Sequence, residues 1–211
     1  VAIASKNAVR SILLVSRKPL DRIRTVALDS SSRSSAALIQ VLFAKYWQQD
    51  VRFGSDEPQL DSMLANSDAA LLIGDPALQV NRSHYYTWDL AEEWRTFTGK
   101  PFVFAFWAVR AKAASEDELS RVAEILLASR DEGLRHIPEI ASEWSQRLSL
   151  APEVIDRYLR ENIQYHLDSE NVQGLNLFFR LASDLKLLPP APELLFAREL
   201  EIRNSAFANR F

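Results

Sequence analysis

Along residues 11–107, short apolar runs alternate with segments whose apolar residues recur every three or four positions. The runs are "SILLVS" (11–16), "TVALD" (25–29), a weaker "DVRFG" (50–54) and "DAALLIGD" (68–75). Their length and bounding polar residues predict strands. Between the second and third runs, Leu38, Val41, Leu42 and Tyr46 mark one face of a helix, and Phe43 and Trp47 widen it. "DLAEEWRTFTGK" (89–100) predicts a helix closed by Gly99 and Lys100. "PFVFAFWAV" (101–109) predicts a long, fully buried strand. Strands that alternate with helices imply parallel pairing in an α/β lobe.

From Ser115 onward the pattern turns helical. Ser115 with Glu118 makes a capping box, and Leu119, Val122, Ala123, Leu126 and Leu127 follow on one face. Pro152 suits the first turn of a helix that carries Val154, Ile155, Tyr158 and Leu159. Ser169 is the expected cap of another, whose stripe is Leu175, Phe178, Phe179, Ala182 and Leu185. "LLPPAP" (187–192) stops it, because proline cannot continue a helix. The charged tail 197–211 reads as helical or loose, and no internal repeat is present.

Composition narrows the chemistry. The chain has 211 residues, 47% hydrophobic and 25% charged, with a net charge of −3, so no basic footprint points to nucleic acid. No apolar run is long enough to span a bilayer. There is no cysteine, which excludes disulfides, thiolate metal sites and a cysteine nucleophile, and suits a reducing compartment. His84, His136 and His166 are scattered singly, so no metal site is expected. Five glycines, none clustered, leave no nucleotide-cradling loop and hence no cofactor assignment. The chain opens on "VAIAS", as though inside a strand, and a preceding segment is expected.

Two turns carry candidate chemistry. In "DSSSRSS" (29–35) the residues Ser31, Ser32, Arg33, Ser34 and Ser35 stand at the mouth of the helix that follows the "TVALD" strand. Helix N-termini expose unpaired N–H groups and partial positive charge, and so bind anions. Serine hydroxyls add donors, and an arginine can pair bidentately with a carboxylate. The alternative is one serine as a helix cap and the rest as solvated loop. In "LLIGDPAL" (71–78), Gly74 permits close backbone approach and Asp75 either faces a ligand or caps the next helix. Phe104, Phe106 and Trp107 read as core residues or as the wall of a cleft, and His84 as a loop residue. No residue stands out as a general base, so the catalytic group is left unassigned.

The segments "VRSILLVS", "TVALDSSSRSSAAL", "DAALLIGDPAL", "DLAEEWRTFTGKPFVFAFWAVR" and "LRENIQYHL…GLNLFFRLA", in that order, resemble the chorismate dehydratases of the futalosine route to menaquinone. The resemblance covers nearly all of residues 3–196. "KNAVRS" stands where the family usually has a Gly-Pro pair, and Ser34 where threonine is common. The resemblance implies an α/β fold of two lobes, like the type II periplasmic binding proteins, with the substrate in the cleft between them. Residues 8–105 would form the middle lobe. Residues 1–7 and 106–211 would supply crossover strands and a helical part packed on the first lobe. It further implies a segment ahead of Val1 that completes that lobe's sheet and brings an asparagine to the substrate. The implied activity is a cytoplasmic hydro-lyase that dehydrates chorismate, a small dianion, to 3-[(1-carboxyvinyl)oxy]benzoate without a cofactor. Ser31–Ser35 and Gly74–Asp75 would bind it. A solute-binding protein of the same fold and the related dihydroxynaphthoate synthase are the competing readings.

Overall fold

The computed structural model describes residues 1–110, 113–190 and 194. The tail 197–211 and its expected character lie outside them. The chain opens with strand β1 (Ala2–Ser5) and crosses to β2 (Ile12–Ser16), which is buried along its whole length. Then come β3 (Thr25–Asp29), α1 (Arg33–Val41), β4 (Arg52–Asp56), α2 (Leu60–Asn66), β5 (Ala69–Ile73) and the short α3 (Asp75–Leu78). Strand β6 (Tyr86–Asp89) leads into α4 (Leu90–Thr98), after which β7 (Phe102–Phe106) returns beside β1. Helices α5 (Glu116–Arg135), α6 (Ile137–Leu148), α7 (Pro152–Arg157) and α8 (Ser169–Asp184) complete the described chain.

The five-stranded sheet has the order β4-β3-β5-β2-β6. It is mixed, which corrects the expectation of parallel pairing. Strand β3 runs parallel to β4 and β5, but β2 is antiparallel to both β5 and β6. The reason is the direction of entry. The chain reaches β2 from β1 at the edge where β3, β4 and β5 end, so β2 must run against them. Alternation of strand and helix in sequence does not register that reversal.

Both faces of the sheet are covered, which explains its near-continuous apolar strands. On one face Leu14, Val26 and Leu71 pack with Leu38 and Leu42 of the α1 region, Trp94 of α4 and Phe178 of α8. On the other, Leu13, Val15, Ala27 and Leu72 meet Met63 and Leu64 of α2 and Ala77 of α3. Helix α1 does not stop at Val41. It widens into a π-helical turn over Leu42–Tyr46, where the Trp47 N–H reaches the Leu42 carbonyl at 2.9 Å. This keeps Phe43 buried and sets its ring edge-on to Trp47 at 4.7 Å.

Strands β1 and β7 form a separate antiparallel pair. It is joined to the larger core through Phe102, whose ring lies 5.4 Å from Trp94 and 4.9 Å from Phe178. Gly174 lets α8 approach the β7 entry closely: a Cβ there would lie 2.1 Å from the Pro101 carbonyl oxygen. The same oxygen accepts the Trp94 indole N–H at 3.1 Å. The strand expected over 101–109 is shorter and only partly buried; Trp107 is 67% exposed.

The expected caps are largely present. Ser115 and Glu118 form their reciprocal capping box, and Gly99 takes the left-handed conformation after α4. Helix α8 is capped by Asp168 rather than Ser169, through a 2.8 Å bond from the Asn171 N–H. A carboxylate accepts that N–H more strongly than a hydroxyl does. Helix α5 departs from its expected apolar stripe at Val122, which is exposed.

Candidate functional site

The C-terminal ends of β3, β5 and β6 share one edge of the sheet with the start of β2. Pairing of Leu28 with Leu71 sends the chain segments after β3 and β5 out side by side. The two turns singled out in the sequence are therefore neighbours in space.

At the first turn, Asp29 is buried and accepts both the N–H and the hydroxyl of Ser31, at 2.8 and 2.6 Å. This folds the chain back and delivers Ser32 to the cap of α1. The Ser32 hydroxyl oxygen accepts the Ser35 N–H at 3.3 Å and donates to the buried Ser35 hydroxyl at 3.1 Å. The Ala36 N–H goes to the Ser32 carbonyl. Of the first-turn N–H groups, those of Arg33 and Ser34 have no partner among the described residues. Arg33 is exposed, Ser34 half-buried. One serine caps the helix, and the N–H groups of Arg33 and Ser34 stay open at the turn.

At the second turn, Gly74 has φ 68° and ψ −138°, a conformation that side-chain-bearing residues rarely adopt. A Cβ built on it meets no described atom within 4 Å, so the glycine is there for its dihedral angles and borders open space. Asp75 is the first residue of α3 and exposed; its side chain does not cap that helix. The Gly74 N–H donates to the Ser11 carbonyl at 2.7 Å, tying this turn to the entry of β2.

Sequence reasoning missed three further residues at this edge. Asp89 is buried, and its carboxylate accepts N–H groups from Val9 at 3.1 Å, Arg10 at 2.6 Å, Ala91 at 3.1 Å and Glu92 at 3.3 Å. Burial raises its pKa, and the four donors limit the rise. Ser11, also buried, receives the Tyr158 hydroxyl at 3.0 Å, from the turn Tyr158–Asn162 that follows α7. The Tyr158 phenol is held above its ordinary pKa by burial, with Asp75 and Asp89 adding to the effect. An acidic residue opening a helix could have flagged Asp89 as a cap. Tyr158 was absorbed into an apolar stripe, and Ser11 carried no signal.

His84 lies in an exposed turn (Arg82–His84) and Trp107 is exposed, while Phe104 packs against the main core. A cavity of about 380 Å³ lies at the opposite edge of the sheet, lined by Arg17, Lys18, Thr25 and Leu64–Asp68. Lys18 there is paired with Asp68. Among the described residues no cluster of three His, Asp or Glu side chains could hold a metal ion. No described helix is long and apolar enough to cross a membrane.

These features define a mixed α/β protein with an open, donor-rich polar site at one edge of its central sheet. The chain belongs to the menaquinone biosynthesis family, whose model matches residues 1–184. It is 29% identical over 194 residues to a chorismate dehydratase of Thermus thermophilus, covering 84% of this chain and 69% of that relative. In fold it is similar to the crystal structure of protein AF1704 from Archaeoglobus fulgidus. The TM-score is 0.65 at 16% identity, over 89% of this chain and 71% of that one.

Proposed function

We propose that this protein is a hydro-lyase that dehydrates chorismate to 3-[(1-carboxyvinyl)oxy]benzoate in menaquinone biosynthesis, acting in the cytoplasm. The observation that carries the reading is the convergence of the serine turn and the Gly74 turn at one sheet edge, in a chain of this family. In this reading the edge is one wall of a cleft between two lobes, in the manner of the type II periplasmic binding proteins. Residues 8–105 form one lobe, and residues 1–7 with 106–211 contribute to the other.

The chemistry suits such a site. Chorismate carries two carboxylates and a ring hydroxyl. Its dehydration breaks one ring C–H bond and the adjacent C–O bond, and releases one water as the ring becomes aromatic. The driving force is in the substrate, so the protein's work is positioning and charge stabilisation. The open N–H groups of Arg33 and Ser34, the hydroxyls of Ser34 and Ser35, and the start of the α1 dipole together receive one carboxylate, while Ser31 and Ser32, whose hydroxyls donate to Asp29 and Ser35, shape the turn around it. Arg33 supplies a cation within the turn itself. Gly74 leaves room for the ring to approach the backbone, and Asp75 stays on the exposed side.

The test is conversion of chorismate by the full-length protein, followed by mass and by the absorbance of the aromatic product. Loss of one water is expected, and Ser34→Ala with Arg33→Ala should raise KM by roughly tenfold or more, since a hydrogen bond to a charged group contributes about 1.5–3 kcal/mol. Chorismate bound but returned unchanged would make the protein a solute-binding protein instead.

A further inference from the structure

The Ser11–Tyr158 pair contains two hydroxyls joined by one hydrogen bond of 3.0 Å. Each hydroxyl owns one hydrogen. Whichever way the bond runs, one hydrogen is left without an acceptor among the described residues. Ser11 is 4% exposed, so this surplus donor is not simply given over to bulk water. The pair is also held in place. The Ser11 backbone carbonyl takes the Gly74 N–H at 2.7 Å, and Asn162, in the same turn as Tyr158, donates to the Ala8 carbonyl at 2.9 Å.

Its position relative to the serine turn is fixed by the sheet. Strand β5 lies between β3 and β2, so Ser11 and the serine turn are two strand spacings apart, roughly 9.5 Å. A six-membered ring with polar groups at opposite corners, hydrogen-bonded at each end, needs about 12 Å between donors, a length of the same order as this backbone spacing. The two ends differ in charge. The serine end offers open N–H groups and Arg33. The Ser11 end has Asp75 close enough to act on the Tyr158 phenol, and Asp75 accepts no side-chain donor among the described residues. A second carboxylate would be repelled there, whereas a hydroxyl can accept from the surplus hydrogen and donate to a carboxylate.

We infer that the Ser11–Tyr158 pair is the donor that meets the substrate's ring hydroxyl, with the ring carboxylate opposite it at the serine turn. The inference rests on the proposed dehydration and adds a role to it. As the C–O bond breaks, negative charge grows on the departing oxygen, and a donor already aimed at that oxygen stabilises the transition state more than the bound substrate. The stoichiometry is unchanged: the pair lends a hydrogen bond and one water leaves. Ser11 or Tyr158 touches the oxygen, and the other holds its partner's orientation.

The experiment compares the full-length wild type with Tyr158→Phe and Ser11→Ala. Each is assayed for kcat and KM on chorismate, and for inhibition by the product 3-[(1-carboxyvinyl)oxy]benzoate, which lacks the ring hydroxyl. The expected result is a fall in kcat of roughly 10²–10³-fold, product inhibition within twofold of wild type, and a double variant no worse than the slower single. Tyr158→Phe keeps the ring in its packing, so folding should survive. If product inhibition weakens as much as turnover, the pair binds a carboxylate or merely supports the fold, and the inference fails. Unchanged kcat in both variants also overturns it. A wild type inert on chorismate overturns the parent reading instead.

Discussion

Replacing Asp89 tests how the crossover into β2 is held. Its carboxylate serves two groups of donors at once: Ala91 and Glu92 in the first turn of α4, and Val9 and Arg10 in the crossover from β1. Arg10 is in the left-handed region at φ 67°, so the segment needs an external tie. Loss of the helix cap costs about 1 kcal/mol. Each crossover N–H left buried without a partner costs about 1–3 kcal/mol. Asp89→Ala should therefore lose roughly 3–7 kcal/mol, a large share of the ~5–15 kcal/mol that holds a typical domain. Asp89→Ser restores the cap but cannot reach Val9 or Arg10, so it should recover only about 1 kcal/mol. Urea unfolding, followed by tryptophan fluorescence, to which the buried Trp94 contributes, measures both variants. If Asp89→Ser is as stable as the wild type, the crossover bonds contribute nothing and the reasoning is wrong.

Other outcomes follow from the same geometry. Gly74→Ala has room for its Cβ but not the dihedral angles, so it should cost about 1–3 kcal/mol in unfolding experiments. Gly174→Ala places a methyl 2.1 Å from the Pro101 carbonyl and should lower the thermal midpoint more than Gly74→Ala does. Acid titration should expose two opposing carboxylates. Burial works against ionisation of Asp68, but Lys18 and the N–H groups of Arg24 and Thr25 outweigh it and hold its pKa below the ordinary 3.8. Its stabilising effect is full above that value and is lost as pH falls through the folded pKa. Asp89, raised above 3.8, acts in reverse: its proton is held longer in the folded state, so its contribution is best in acid and declines as pH rises through its folded pKa. The stability gap between wild type and Asp68→Asn should therefore shrink from pH 6 to pH 3, as read by urea midpoints; a constant gap would refute the assignment.

The sequence alone determined what depends on near neighbours. Apolar spacing placed β2, β3, β5, α1 and α4 within a few residues of their observed limits, because burial of one face or both leaves a period in the chain. The serine turn was legible as a helix mouth, since Ser32 and Ser35 settle their hydrogen bonds within four residues. The capping box at Ser115 was legible for the same reason. Strand β6 was not, because "YYTWD" is short, half-exposed and joined to the sheet through β2 alone. Only the tertiary structure decided that β2 runs against its neighbours, since strand direction depends on where the chain enters the sheet. That choice brought Ser11 to the edge where β3 and β5 end and set it against Tyr158, 147 residues away. A hydrogen bond across such a separation leaves no periodic trace, so the serine turn could be read from the chain and the far end of the site could not.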